Sequence, residues 1–159
     1  MVDRSPTIWP MPLIGEYEPS PAKWVRDQVE EYERSGGQRA NTLRDTGLPV
    51  VIVTARGRKS AKIRKVALMR VGHDGVYALV ASKGGAPDNP HWYHNLKADP
   101  HIMLQDGPEP FDYEVRELSG EERAQWWERA VAAYPPYAEY QTKTSRQIPV
   151  LIATRMAGR

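Results

Sequence analysis

Six short apolar segments between residues 49 and 155 set the fold: PVVIVTA (49–55), IRKVALMR (63–70), GVYALVAS (75–82), PHIMLQ (100–105), FDYEVREL (111–118) and IPVLIATR (148–155). Each is strand-length, rich in branched or aromatic residues, and bounded by turn-forming residues. The links between them are mostly tight. His73-Asp74-Gly75 has the look of a hairpin turn between the second and third strands, and Gly107-Pro108 separates the fourth from the fifth. A largely antiparallel sheet closed toward a barrel is the expected outcome.

Helices flank this sheet. Ser20 and Pro21 read as N-cap and first residue of an amphipathic helix carrying Trp24, Val25, Val29 and Tyr32, which Gly36-Gly37 ends. Asn89-Pro90 opens a short helix, HWYHNLKA, that stops near Asp99-Pro100. Ser119 and Glu122 have capping-box spacing for EERAQWWERAVAAY, which Pro135-Pro136 terminates before a last turn bearing Tyr137 and Tyr140. Ahead of all this, residues 1–20 hold four of the fourteen prolines with Trp9, Met11, Leu13 and Ile14, which reads as an extended arm. One domain over residues 21–159 is expected, since 159 residues leave no room for a second full core.

Composition narrows the chemistry. The absence of cysteine excludes disulfides, thiolate catalysis and thiolate metal sites. A net charge of +2 is too small to suggest a nucleic-acid binder, and the chain lacks a wide basic face with interleaved aromatics. No apolar run approaches the length of a spanning helix, and a cytoplasmic setting is expected.

The charge that matters is local. In ARGRKSAKIRK, Arg56, Arg58, Lys59, Lys62, Arg64 and Lys65 put six cations into ten residues, and Gly57 and Ser60 add backbone N–H groups and a hydroxyl. Such a segment suits a phosphate or carboxylate ligand, the alternative being a solvated basic turn. Ser82-Lys83-Gly84-Gly85 follows a strongly apolar strand, where small residues let backbone approach a flat ligand. His91 and His94 lie three apart, but with only Asp88 and Asp99 nearby they are read as capping, packing or ligand-contact residues, not as metal ligands. Trp126 and Trp127 are assigned to packing. Tyr134, Tyr137 and Tyr140 recur every third residue and make a hydroxyl-bearing face able to donate hydrogen bonds at neutral pH, or simply to pack against the sheet.

Three stretches together, GRKSAKIR, ASKGGAPDNPHWYHNLKADP and AAYPPYAEYQTKTSRQIPVLI, resemble the deazaflavin-dependent nitroreductase family of F420H2-dependent reductases, over about residues 20–155. The ASKGG and NPxWYxNLxAxP elements carry most of the resemblance. It implies a mainly β (α+β) fold, a split β-barrel with flanking helices, and coenzyme F420, an 8-hydroxy-5-deazaflavin with a phosphate and an oligoglutamate tail. Carried over residue by residue, Arg58, Lys59, Ser60 and Arg64 match the segment that holds phosphate and tail. Val66, Ala67 and Leu68 match the strand under the ring; Ala81, Ser82, Lys83, Gly84 and Gly85 match the turn beside it; His91, Trp92 and Asn95 match the closing helix. In this chain RKVAL stands where a proline is common in the family.

The implied activity is hydride transfer from the reduced deazaflavin to an electron-poor acceptor such as a quinone, nitroaromatic or activated enone. Tyr137 or Ser82 is the implied catalytic donor, and Tyr134, Tyr137 and Tyr140 line the acceptor side. An FMN-dependent oxidase or flavin reductase of the same fold, or a non-catalytic F420 carrier, are the alternatives. A monomer is expected, with the arm laid against either the acceptor pocket or a membrane surface.

Overall fold

Along β1 (Val50–Arg56) successive side chains point to opposite faces of the sheet, and both faces are covered. Val51, Val53 and Ala55 join Leu79, Ile102, Leu104, Val115 and Leu151 in one buried cluster, while Val50 and Ile52 join Val80, Val150 and Ile152 in the other. Burial on both sides explains why the strand reads as a continuous apolar run without alternation. Each fully buried Ile, Leu or Val contributes about 1.5–3 kcal/mol relative to an exposed one.

The computed structural model describes residues 13–43 and 46–156. Its sheet continues with β2 (Ile63–Met69), β3 (Gly72–His73), β4 (Val76–Val80), β5 (His101–Gln105), β6 (Pro110–Glu117) and β7 (Val150–Arg155). All pairings between these strands are antiparallel, in the order β2-β1-β5-β6-β7-β4-β3. Although β2 and β4 stand near opposite ends of this order, they come into contact, so the sheet curls into a barrel. The six expected strands are present, with β3 as an added two-residue stub. Asp74 at φ 53 and Gly75 at φ 76 form the expected two-residue hairpin turn between β3 and β4.

Four helices flank the sheet. Val29 and Tyr32 of α1 (Lys23–Arg34), Trp126 and Ala130 of α3 (Gly120–Ala133), and Tyr137 of α4 (Pro136–Thr142) all enter the cluster that holds Val50 and Ile52. On the other face lies α2 (His91–Ala98), with Leu96 buried beneath it and Trp92 and Tyr93 packed alongside.

Three local expectations need correction. The first helix begins at Lys23 with Ala22 as its N-cap; Ser20 Oγ instead accepts a hydrogen bond from the Ala22 amide at 3.2 Å. At α3 the capping box does not form, because Glu122 is bound bidentately by Arg116 at 3.0 and 2.7 Å and the Ser119 side chain makes no cap bond. The residues after Pro135 are more than a last turn, since they make a separate helix, α4. Trp9 and Met11 of the expected arm lie outside the described residues. Its inner part is docked: Glu18 N donates to Ile63 O at 2.9 Å and Ile63 N to Glu16 O at 2.8 Å, laying the chain along the start of β2.

Candidate active site

Between α2 and the β1–β2 hairpin opens a cleft of about 530 Å³. Its floor is apolar, formed by Val53 and Ala55 of β1, Val66 of β2, and Leu96 and Trp92 of α2. Val25 and Ser20 close one side, and Lys83 of the glycine turn reaches the other. Arg64, His91 and Asn95 belong both to this cleft and to a smaller polar recess of about 230 Å³ lined by Gly57, Arg58, Lys59, Ser60 and Glu18. An apolar cleft thus runs into a basic mouth.

The mouth is built by hydrogen bonds that reach from loop to helix. Asn95, only 8% exposed, turns its Oδ1 outward to accept from the Arg58 amide at 3.0 Å and from Arg58 Nη1 at 3.1 Å. The loop closes on itself through Gly57 N to Lys62 O at 2.8 Å and Lys62 N to Ser60 Oγ at 3.1 Å. A Cβ on Gly57 would sit 3.0 Å from Ser60 Oγ and 3.3 Å from Lys62 O, so a side chain here would push the loop outward by a few tenths of an ångström.

The six cations divide into two groups. Arg56 pairs with Asp99 at 3.6 Å, Lys62 with Glu16 at 3.7 Å, Arg64 with Glu18 at 3.4 Å and Lys65 with Glu33 at 2.7 Å. Among the described residues Arg58 and Lys59 have no carboxylate partner. Both are exposed and both line the recess, an arrangement able to receive an anion.

The glycine turn is strained. Lys83, Gly84 and Gly85 all adopt positive φ, at 47, 65 and 85, and Lys83 is the one residue of the three with a side chain to oppose it. Ala81 and Ser82 are buried at its start, and the Lys83 ammonium pairs with Asp88 at 3.1 Å. Gly85 meets α4 backbone to backbone: a Cβ there would lie 2.7 Å from Tyr140 O. The turn and the tyrosine helix therefore form one packed unit.

The three tyrosines cluster as their spacing predicts. Ring centroids of Tyr134 and Tyr137 are 4.9 Å apart, and the Tyr134 and Tyr140 hydroxyls are 3.2 Å apart. That hydrogen bond, with burial, pushes the Tyr134 hydroxyl up to about 12. Burial pushes Tyr137 higher still, so both remain neutral donors at physiological pH. Tyr137 is 5% exposed, packs against Trp127, and has no hydrogen-bond partner for its hydroxyl among the described residues.

The structure thus gathers Arg58, Lys59, Ser60, Arg64, Val66, Lys83, His91, Trp92 and Asn95 around one continuous cavity. Ala67 alternates to the opposite face, against the α1–α3 core, while Leu68 packs on the same side as Val66. Ser82, Gly85 and the tyrosines stand behind the turn and do not line the cleft. Sequence reasoning missed Glu18 and Val25, which line the cavity from distant segments, and Arg146, which binds the backbone on both sides of the glycine turn; Arg146 carries no acidic residue within four positions, a hint that it serves no local ion pair.

Comparison with known proteins identifies the family and the fold. Residues 24–155 match the family model for F420H(2)-dependent quinone reductase. An F420H(2)-dependent quinone reductase of Mycobacterium tuberculosis is 34% identical over 110 residues, covering 67% of this chain and 74% of its own length. A solved structure of an F420-H2 dependent reductase, FDR-A, is 58% identical with TM-score 0.64, over 67% of this chain and 94% of that one. A second solved structure, a domain-swapped dimer, is 52% identical with TM-score 0.66, over 85% of this chain and all of that one (100%). The fold is the split β-barrel, and the chain belongs to the F420H2-dependent quinone reductase family of oxidoreductases.

Proposed function

We propose that this chain binds reduced coenzyme F420 with its ring in the apolar cleft and its phosphate and tail toward Arg58 and Lys59, and passes hydride to a quinone. The observation that carries this reading is that an apolar cleft shares Arg64, His91 and Asn95 with a recess holding two cations that lack carboxylate partners among the described residues. The fit is chemical as well as spatial: Val53, Ala55, Val66 and Leu96 offer apolar surface to a ring, and the basic mouth offers donors to an anion. When bound, the reduced deazaflavin supplies the hydride.

The protein's part is to bind, orient and stabilise charge. Trp92, Leu96 and Val66 give the cleft an apolar floor on which a ring displaces water. Arg58, oriented by Asn95, fixes the anionic end, with Lys59 and Ser60 beside it. Lys83 stands at the other side of the cleft. Negative charge that develops on the acceptor oxygen is met by a neutral hydroxyl; Tyr137 and Ser82 are the candidates, which places the acceptor side toward the glycine turn and Tyr134 and Tyr140, outside the lining of the cleft that takes the ring. Nitroaromatics and activated enones accept hydride by the same charge movement.

Among the described residues no helix is long and apolar enough to cross a membrane. Ile14, 72% exposed on the docked arm, offers an apolar approach for a lipophilic quinone, from solution or from a membrane surface. The sequence favours a monomer, whereas one relative is a domain-swapped dimer, and the same exchange between copies of this chain is the reading to test by mass in solution.

Fluorescence titration with F420, followed by single-turnover oxidation of F420H2 by a soluble quinone, tests the proposal. Binding with quinone-dependent oxidation supports it. Binding without oxidation points to a carrier, and a preference for FMN points to the flavin alternative.

A further inference from the structure

Arg146 lies in the loop between α4 and β7, more than 55 residues from everything its guanidinium touches. Nε donates to Ala86 O at 2.9 Å, Nη2 to Ser82 O at 2.8 Å, and Nη1 to Ala81 O at 3.2 Å and to Asn89 Oδ1 at 2.7 Å. These acceptors bracket the strained turn: Ala81 and Ser82 precede Lys83–Gly85, Ala86 follows it, and Asn89 leads into α2. No carboxylate lies within ion-pairing distance of Arg146 among the described residues. A cation that spends four hydrogen bonds on neutral acceptors is organising backbone, because a rigid planar fork can hold several carbonyls at fixed angles where an ammonium cannot.

The same residue is held from behind. Gln141 of α4 donates to Arg146 O at 2.8 Å and accepts from the Ile148 amide at 3.0 Å, so the tyrosine helix and the arginine move together. Lys83 at positive φ needs such restraint, since a residue with a Cβ relaxes out of the left-handed region unless its surroundings over-determine it.

Resting on the F420 reading above, we propose that Arg146 is a positioning residue: it clamps both ends of the Ser82–Gly85 turn, holds Lys83 at the cleft and ties the turn to the tyrosine helix. It touches neither ring nor acceptor and acts through the backbone it grips. Loss of the clamp leaves the basic mouth intact, so its effect falls on orientation more than on affinity.

The test uses Arg146→Gln and Arg146→Lys in the full chain. In the protein without cofactor, the Gly85 and Ala86 amides, bonded to Ser82 O at 2.9 Å and Lys83 O at 3.1 Å, are expected to exchange hydrogen faster in both variants. With F420H2 and quinone, kcat is expected to fall on the order of 10-fold to 10²-fold while F420 affinity changes less. Arg146→Ala should regain part of its kcat in millimolar guanidinium, which refills the clamp. Lys83→Gly supplies an independent check: without strain at position 83, Arg146→Lys should lower the melting temperature less than it does in the native background. Unchanged amide exchange, or equal melting decrements in the two backgrounds, overturns the proposal. Should Arg146→Gln fail to fold, Arg146→Lys carries the same readouts. A native protein that does not bind F420 overturns the proposed function and leaves the exchange measurement to decide Arg146.

Discussion

The two ends of the cleft are built from opposite materials. At the basic mouth the loop is tied to α2 through Asn95, and around it stand ion pairs between largely exposed side chains, with separations such as 3.4 Å for Arg64–Glu18 and 3.7 Å for Lys62–Glu16. At the glycine turn the contacts are hydrogen bonds from one arginine to backbone carbonyls, over a buried Gly85 pressed against Tyr140. The mouth is adjustable and sensitive to salt, because screening acts on exposed charges. The turn is rigid and specified by packing. Under the proposed function, affinity for an anionic tail belongs to the first region, and placement of the reacting groups to the second.

The sharpest way to break this division is Tyr137→Phe, which keeps the ring in the core and removes one hydroxyl. The expected result is a loss in kcat on the order of 10-fold to 10³-fold with F420 affinity nearly unchanged. Phe at Tyr134 or Tyr140 should cost less. A Tyr137→Phe enzyme with normal kcat makes this tyrosine a packing residue, in line with its 5% exposure, and moves the search for the donor to Ser82.

A smaller effect sharpens the mouth. Glu18 is the carboxylate in the recess, facing Arg64 where the anion is expected. Glu18→Gln should tighten F420 binding by about 2-fold to 5-fold at low salt, the size of an exposed ion pair, and the gain should vanish at high salt. Weaker binding in the variant would mean that Glu18 holds Arg64 in place instead of competing for it.

The smallest effect probes the tyrosine cluster through pH. Because Tyr134 is raised in the folded protein to about 12, the unfolded chain ionises first as pH climbs past the ordinary tyrosine value of 10.0. The stabilisation is complete below that value and is lost as pH rises toward 12, so melting temperature should fall across this window. Tyr134→Phe should flatten part of the fall. Tyr77 and Tyr93, also raised to about 12, contribute to what remains, as do Tyr17, Tyr32, Tyr113 and Tyr137, which burial raises as well.

Much of the sheet was legible because strand signals are local: Val50–Val53 and Val150–Ile152 are apolar runs that only a strand buried on both faces explains. The capping box at Ser119 and Glu122 failed because a nearby competitor, Arg116 at the end of β6, claims the carboxylate, and the capping-box spacing takes no account of it. The site divides in the same way. Arg58, Lys59 and Asn95 were readable as dense charge and a matching helix motif. Arg146 was not, since its meaning lies in four acceptors brought to it by the closure of the barrel.

The most direct test of the central claim is to compare affinity for F420 with affinity for the bare 8-hydroxy-5-deazaflavin ring lacking phosphate and tail, in the native protein and in Arg58→Glu/Lys59→Glu. If the cleft holds the ring and these two cations hold the tail, F420 affinity falls with salt and drops on the order of 10²-fold in the double variant, while ring affinity stays constant in both. Equal losses for ring and F420, or no loss for either, would contradict the assignment of the basic mouth.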